Sequence, residues 1–416
     1  MVRQAHLVAV VGTFLVAIVV VGCGTGTGKI DERDGERGPA ANKAETTASV
    51  GERTAAGTPR EPVGLDFEAV SPVGRANLPA GFGGGTLWAT DFEPIPAACD
   101  DVVEPGEGPC SASISASAGA SASASPYGGA RHTLLKRLDP QTGDEEAAIP
   151  LEGLSNVFTQ VAFGAGSVWV SSGYYSMGPP DKRGLGDVVL RIDPQTNRVV
   201  DRIPVDPPSG LAFGHGSVWA TSAGYGTLTR IDPETGEVAA KIEVGRGAVD
   251  VAADERSGAV WVASVYLPKD YGGYDSPGYS EDRNLTRVNP ATNRVATQIP
   301  IRAGSWDGGA DHVAVGEGAV WAQGGGELFK VDPATDEVTA TASVGGSSSH
   351  LAVYGGAVWA MAQVDEFRLA RVDPRTVRVA ASEDVGPIPK VGPGGMAAGG
   401  GYVWFSSGDG LARVAP

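Results

Sequence analysis

Positive charge is scarce in this chain: 32 lysines and arginines stand against 49 aspartates and glutamates, a net charge of −17 with no basic tract. Nothing here could neutralise a run of phosphates and release their counterions, so nucleic-acid binding is excluded. Cysteine is nearly absent, with 3 residues and no Cys-x-x-Cys pair, which removes the usual spacings of zinc and dithiol redox centres. There is no Gly-x-Ser-x-Gly elbow and no His-Glu-x-x-His helix signature, so the common hydrolase and metalloprotease constellations are missing. What is abundant is turn chemistry. The 61 glycines and 29 prolines make about 22% of the 416 residues, against roughly 12% in average usage, which predicts many short elements and no long helices. With 42% hydrophobic residues the chain is still apolar enough to build a sizeable core.

The two ends differ in kind. Arg3 is followed by an uncharged run from Ala5 to Gly22 that closes on Val20-Val21-Gly22-Cys23. A small residue before cysteine at this distance from the start is a bacterial lipobox, so residues 1–22 read as a lipoprotein signal peptide and Cys23 as the lipidated residue. The competing reading is an uncleaved anchor helix, since the run is just long enough to span a bilayer. Both place the remainder outside the cytoplasm at a membrane surface. Gly24-Thr25-Gly26-Thr27-Gly28-Lys29 superficially matches a phosphate-binding loop, but Cys23 stands where its first glycine belongs and no Ser or Thr follows Lys29. Residues 23–64 read as a flexible tether with a span of about 35 Å.

From residue 65 onward one phrase returns. Its cleanest copy runs from Leu211 to Val244, and the Gly-x-aliphatic-Trp element recurs at Trp88, Trp169, Trp219, Trp261, Trp321, Trp359 and Trp404. After each tryptophan a basic residue stands two places before an Asp-Pro or its equivalent: Arg137, Arg191, Arg230, Arg287, Lys330, Arg371 and Arg413. Short apolar runs cut by Gly-rich turns read as four strands per copy. Asp232 and Pro233 suit the first two places of a type I turn, and Gly236 supplies a left-handed residue. Gly143, Asn197, Asn293, Asp336 and, anomalously, Val377 hold that left-handed place elsewhere. The Asp-Pro motif is thus turn chemistry, not catalysis.

Seven copies of four strands predict an all-β fold, a seven-bladed β-propeller over residues 65–416, with each tryptophan packed between blades. The last copy lacks its fourth strand, and an orphan run from Phe67 to Val73 precedes the first copy, so an N-terminal strand is expected to close the last blade. On this blade phrase the chain resembles YVTN-type and streptogramin-lyase-like (virginiamycin B lyase) propellers, with NHL-repeat relatives. Quinoprotein propellers follow the Asp-Pro-x-Thr-Gly turn with tryptophan; no tryptophan follows it here, and a quinone cofactor is not supported.

Departures from the repeat mark where function is expected. From tryptophan to the following turn the distance is 51 residues in the first copy, 24 in the second and 28 in the fourth, against 11 to 14 in the others. The excess falls between second and third strands, on the face where the innermost strands begin. Eight of the ten tyrosines lie in these segments, among them Tyr174, Tyr175, Tyr225, Tyr266 and Tyr271, and Trp306 stands in a connection on the same face. Tyrosine and tryptophan give contact area at low entropy cost, so these residues are candidate ligand contacts. The largest insertion, 93–130, carries Cys99 and Cys110, which in an exported protein most simply form a disulfide.

At the head of the innermost strands stand Gln160, Gly210, Asp250, His312, His350 and Gly395, with Pro79 in the first copy. They are expected to line one mouth of a central channel, where Gln160 and Asp250 are further binding candidates and water the simplest occupant. His312 and His350 fall in neighbouring copies, with Asp311 beside the first, which permits an acid/base or divalent-cation site. The lyase resemblance implies two catalytic histidines in adjacent blades, a nearby glutamate and Mg²⁺, acting by proton abstraction and elimination. In that family the histidine stands one place earlier; the matching places here hold Asp311 and Ser349, and side chains alternate along a strand. The leading expectation is therefore a membrane-tethered monomer that binds a peptide, glycan or envelope protein and needs no cofactor. A metal-assisted lyase is the alternative.

Overall fold

The computed structural model describes residues 64–70, 78–94, 131–151, 159–172, 187–265, 283–302, 309–363, 365–386, 395–407 and 410–416. All lie in one compact unit, Arg60–Pro416. They form seven four-stranded antiparallel sheets, and among the described residues there is no helix. Each innermost strand touches the innermost strands of both neighbouring sheets, and that of the first touches that of the seventh, so the ring is closed. The protein is a seven-bladed β-propeller.

The third blade shows how the phrase builds a sheet. Its strands are Leu211–Gly214, Ser217–Ser222, Thr227–Ile231 and Val238–Glu243. The second strand is buried along its whole length because it has a neighbour on both edges and a blade on both faces. The outermost strand alternates instead, with Ile242 inward and charged residues outward. In the last turn Asp232 Oδ1 accepts from the N–H groups of Glu234 and Thr235 at 2.8 and 3.1 Å, and Gly236 takes φ 73°. The left-handed place is held as expected in the other turns, including Val377 at φ 53°.

Every tryptophan of the repeat is at most 1% exposed. Each stands opposite a small inner-strand residue, from Gly81 facing Trp88 to Ala397 facing Trp404, and packs into the next blade: Trp219 against Val251, Val260 and Val262, Trp404 against Leu87 and Leu138 of the first. Burying about 150 to 250 Å² apiece is worth roughly 4 to 6 kcal/mol before entropy. The basic residue stands on the other side of the tryptophan, directly across the strand pair, as in Trp219↔Arg230. Its head lies 5.2 Å from the indole centroid there and 5.3 Å in the Arg413–Trp404 pair. It then reaches forward to the next blade's turn: Arg230 donates to Pro290 O at 2.7 Å, Lys330 to Pro374 O at 2.7 Å, Arg137 to Pro194 O at 2.8 Å.

Closure follows the expected route over a shorter stretch. The strand Glu68–Val70 pairs with Gly410–Val414 in the register Glu68↔Arg413 to Val70↔Leu411 and completes the seventh blade. Arg413 bridges to Glu68 at 3.0 Å and donates to Gln141 O of the first blade at 2.7 Å, so one guanidinium ties the closing strand and the last strand to the first blade. The residues expected to extend this strand to Val73 lie outside the described residues. The insertion begins later than its composition indicates: Glu93 and Pro94 belong to the strand Thr86–Pro94 and pair with His132 and Arg131. The tether up to residue 63, including Cys23, lies outside the described residues, as do Cys99 and Cys110.

Candidate functional site

Register places the heads of the innermost strands at one level. Gln160 opposes Ser171, Asp250 opposes Ala263, His312 opposes Gln323 and His350 opposes Met361. Gly210 and Gly395 hold the same level, their carbonyls accepting from Thr221 N and Ser406 N at 3.0 and 3.1 Å. In the first blade a bulge between Pro79 and Gly81 sets Pro79 opposite Ala89 and lifts Leu78 to face Thr90. The residues opposite this ring sit toward the ends of the second strands from which the long second-to-third connections depart, the first blade's strand running four residues on from Thr90 to Pro94. The ring and the strand ends that bear the insertions therefore share one end of the propeller. Tyr225, 36% exposed, lies in the short turn of the third blade at that end. Tyr174, Tyr175, Tyr266, Tyr271 and Trp306 lie outside the described residues.

Three consecutive blades form a polar arc. Asp250 accepts with Oδ1 from its neighbour Val251 N at 2.8 Å and with Oδ2 from Val313 N of the fifth blade at 3.0 Å. The same Oδ2 stands 3.6 Å from His312 Nδ1, with side chains 22% and 24% exposed. The His312 ring lies over that of His350, centroids 5.6 Å apart and planes 16° from parallel. A bulge between Ser348 and His350 brings Ser349 Oγ to 3.0 Å from His350 Nδ1. His350 keeps part of its surface, but burial among protein atoms, with His312 beside it, pushes its pKa from 6.5 down to about 3. It is uncharged at any physiological pH.

The carboxylate set beside the histidines is thus Asp250, from the preceding blade. Asp311 stands ahead of the strand, its N–H bonded to Gln323 O at 2.8 Å. Gln160 is half-buried two blades from Asp250. Imidazole lone pairs lie in the ring plane, so two nearly parallel stacked rings do not aim nitrogens at one point. Among the described residues no group of three His, Cys, Asp or Glu could hold a metal ion. The pair as arranged does not fit a shared metal; it fits hydrogen bonding and proton transfer.

No family model and no curated protein matches the chain. Solved structures similar to it include hydrazine synthase from Kuenenia stuttgartiensis, at 14% identity over 59% of this chain and 72% of that one, TM-score 0.45. BamB from Moraxella catarrhalis is 13% identical over 68% of this chain and 78% of that one, TM-score 0.44. Neither assigns a family.

One pairing and one participant escape a reading of the sequence alone. Asp250 is a binding candidate from its place at the head of a strand, but its approach to His312 arises only because neighbouring blades share a level, which the repeat alignment contains but does not emphasise. Gln323 is the second. It lies two places after Trp321, where the other blades carry Thr, Ser, Ala or Met. It is 0% exposed, and its Nε2 donates to Met361 O of the sixth blade at 3.0 Å. A long amide at a wholly buried place was the available signal.

Proposed function

We propose that the chain is an extracytoplasmic propeller, anchored through a lipid on Cys23, whose insertion-bearing end binds a peptide, glycan or envelope protein. The observation that carries this reading is the shared register. It gathers the strand ends that bear 95–130, 173–186 and 266–282, together with Asp250, His312 and His350, at one end of a ring that is otherwise regular. A rigid scaffold carrying irregular connections around a polar recess is the usual arrangement of a recognition surface. Lipid anchoring is supported by Val20-Val21-Gly22-Cys23. The described residues contain no helix long and apolar enough to cross a membrane.

The test is a thermal-shift screen of the full chain carrying Cys23→Ser against peptides, peptidoglycan fragments, macrolactones and divalent cations, since a ligand of the native state must raise its apparent stability. Replacing 266–282 by a short Gly-Ser link should abolish the response to the responding class. An undiminished response would remove the insertions from the binding face.

The contact of Asp250 with His312 favours a second reading: acid–base chemistry of the lyase kind, with His312 as the proton carrier and Asp250 orienting it. Turnover of a macrolactone that His312→Asn abolishes would establish it. No turnover, with or without added Mg²⁺, would leave binding alone.

A further inference from the structure

The first six blades each end in an outermost strand that has no further strand beside it among the described residues. Such an edge holds out N–H and C=O groups to any extended chain, and a protein that stays single blunts it with proline or charge. Along an antiparallel ladder successive residues turn their backbone groups to opposite sides, so the residue before one bonded inward faces outward. At the ends of the first five outer strands Leu151 N, Val205 N, Val244 N, Ile301 N and Val344 N donate inward to the neighbouring strand. The outward-facing residues just ahead of them are Pro150, Pro204, Glu243, Pro300 and Ser343. In the sixth blade Asp384 stands ahead of the inward-packed Val385. Proline denies a partner the N–H in three blades and a carboxylate stands at that place in two. The fifth blade offers a serine.

The rest of that strand is equally bare. Two places earlier, where the second and third blades carry Arg202 and Lys241, stands Thr341. In Glu337–Ser343 the only charge is on the first residue, there is no proline, and both outward-facing residues, Thr341 and Ser343, are exposed. The strand also selects its occupant. A second copy set antiparallel across a two-fold axis through Thr341 places Thr341 against Thr341, Ala340 against Ala342, Thr339 against Ser343 and Val338 against Val344. The two Thr341 residues would exchange both backbone bonds, and Glu337 would fall opposite Gly345, beyond the strand's end, instead of opposite its own copy. A chain of net charge −17 repels its copies in general; along this strip it meets them without charge.

We propose that two copies of the chain associate edge to edge through Glu337–Ser343, so that their fifth blades form one continuous sheet. This replaces the monomer expected from the sequence. It is independent of the reading of the insertion-bearing end, because the strand that pairs is the outermost of its blade and the heads of the innermost strands take no part.

Sedimentation velocity on the full chain with Cys23→Ser, from about 1 μM to about 100 μM, should show a monomer–dimer equilibrium. Ser343→Pro installs the residue that the first, second and fourth blades carry at the same place. It should weaken association about 10-fold or more and leave the melting temperature unchanged, because the N–H it removes takes no part in the blade's own ladder. Thr341→Lys and Thr341→Glu should each be monomeric alone and associate when mixed, since like charges face each other in the first case and opposite charges in the second. Association restored by mixing cannot come from unfolding. A monomer at every concentration, a dimer indifferent to Ser343→Pro, or a mixture that stays apart would overturn the proposal. So would a monomer whose Thr341 and Ser343 amides gain hydrogen-exchange protection only when a peptide of residues 337–345 is added, a result that would give the edge to a strand of another protein.

Discussion

Val377 occupies a left-handed backbone position that a β-branched residue should avoid, at a cost of about 1–2 kcal/mol. It is nevertheless 7% exposed and packed in the cluster around Trp321 and Val358, where burying a valine is worth about 1.5–3 kcal/mol. Packing outweighs strain. Val377→Asn, which the turn alone would favour, should therefore lower stability by about 1 kcal/mol in urea unfolding; a gain would show that strain dominates. A second residue-scale balance sits in the first blade. Lys136 and Asp91 are each 8% exposed at 2.6 Å, with Glu145 at 3.0 Å. Burial opposes the charge on Lys136, but bonds to Asp91 and Glu145 prevail, so its pKa is raised. Lys136→Met removes one partner of a buried pair and should cost about 3 kcal/mol or more by the same measurement. Lys136→Met with Asp91→Leu should recover much of that loss, because no buried carboxylate then lacks its counter-charge.

At the scale of elements, the closing strand is the critical piece. It has three residues, yet it covers the outer edge of Gly410–Val414, buries Val70 and supplies Glu68 to Arg413. Truncation to residue 64 should leave the melting temperature unchanged, whereas truncation to residue 71 should destabilise by about 2–4 kcal/mol and expose an edge prone to association. Scanning calorimetry with size-exclusion chromatography decides it, and equal stability of the two truncations would show that the seventh blade closes without its N-terminal strand. This element was legible because a missing fourth strand and an orphan run are both visible in the repeat count. The left-handed turn residues were legible too, since Asp-Pro-x-Thr-Gly fixes local backbone whatever surrounds it. The forward reach of Arg137, Arg230, Lys330 and Arg413 was not: the sequence shows a basic residue at constant spacing, but its acceptor is a carbonyl in the next copy. Asp250 and His312 met for the same reason. Contacts between blades depend on a common level around the ring, which only closure creates.

On the scale of the whole molecule, acidity sets two opposing trends. With a net charge of −17 at pH 7 and an isoelectric point near 4.7, acidification first relieves self-repulsion, and stability should rise as the pH falls toward that point. Below it the Asp-Pro turns begin to fail. Backbone N–H groups hold their carboxylates below the usual range: Gln195 N, with the Thr196 hydroxyl, for Asp193; Thr235 N and Glu234 N for Asp232; Arg375 N and Thr376 N for Asp373. A carboxyl whose folded pKa is depressed contributes stability above its unfolded value, about 3.9, and loses it as the pH falls through the folded one. The melting temperature should therefore pass through a maximum near the isoelectric point and drop below about pH 4. The acid limb is separable from the charge effect. Asparagine accepts the same N–H bonds without titrating, so Asp193→Asn, Asp232→Asn and Asp373→Asn combined should flatten the limb below about pH 4 while leaving the rise above it in place. Calorimetry from about pH 8 to about pH 2 on both proteins is the measurement. Superimposable acid limbs would mean that other carboxylates, not the repeated turns, set the acid limit of the ring.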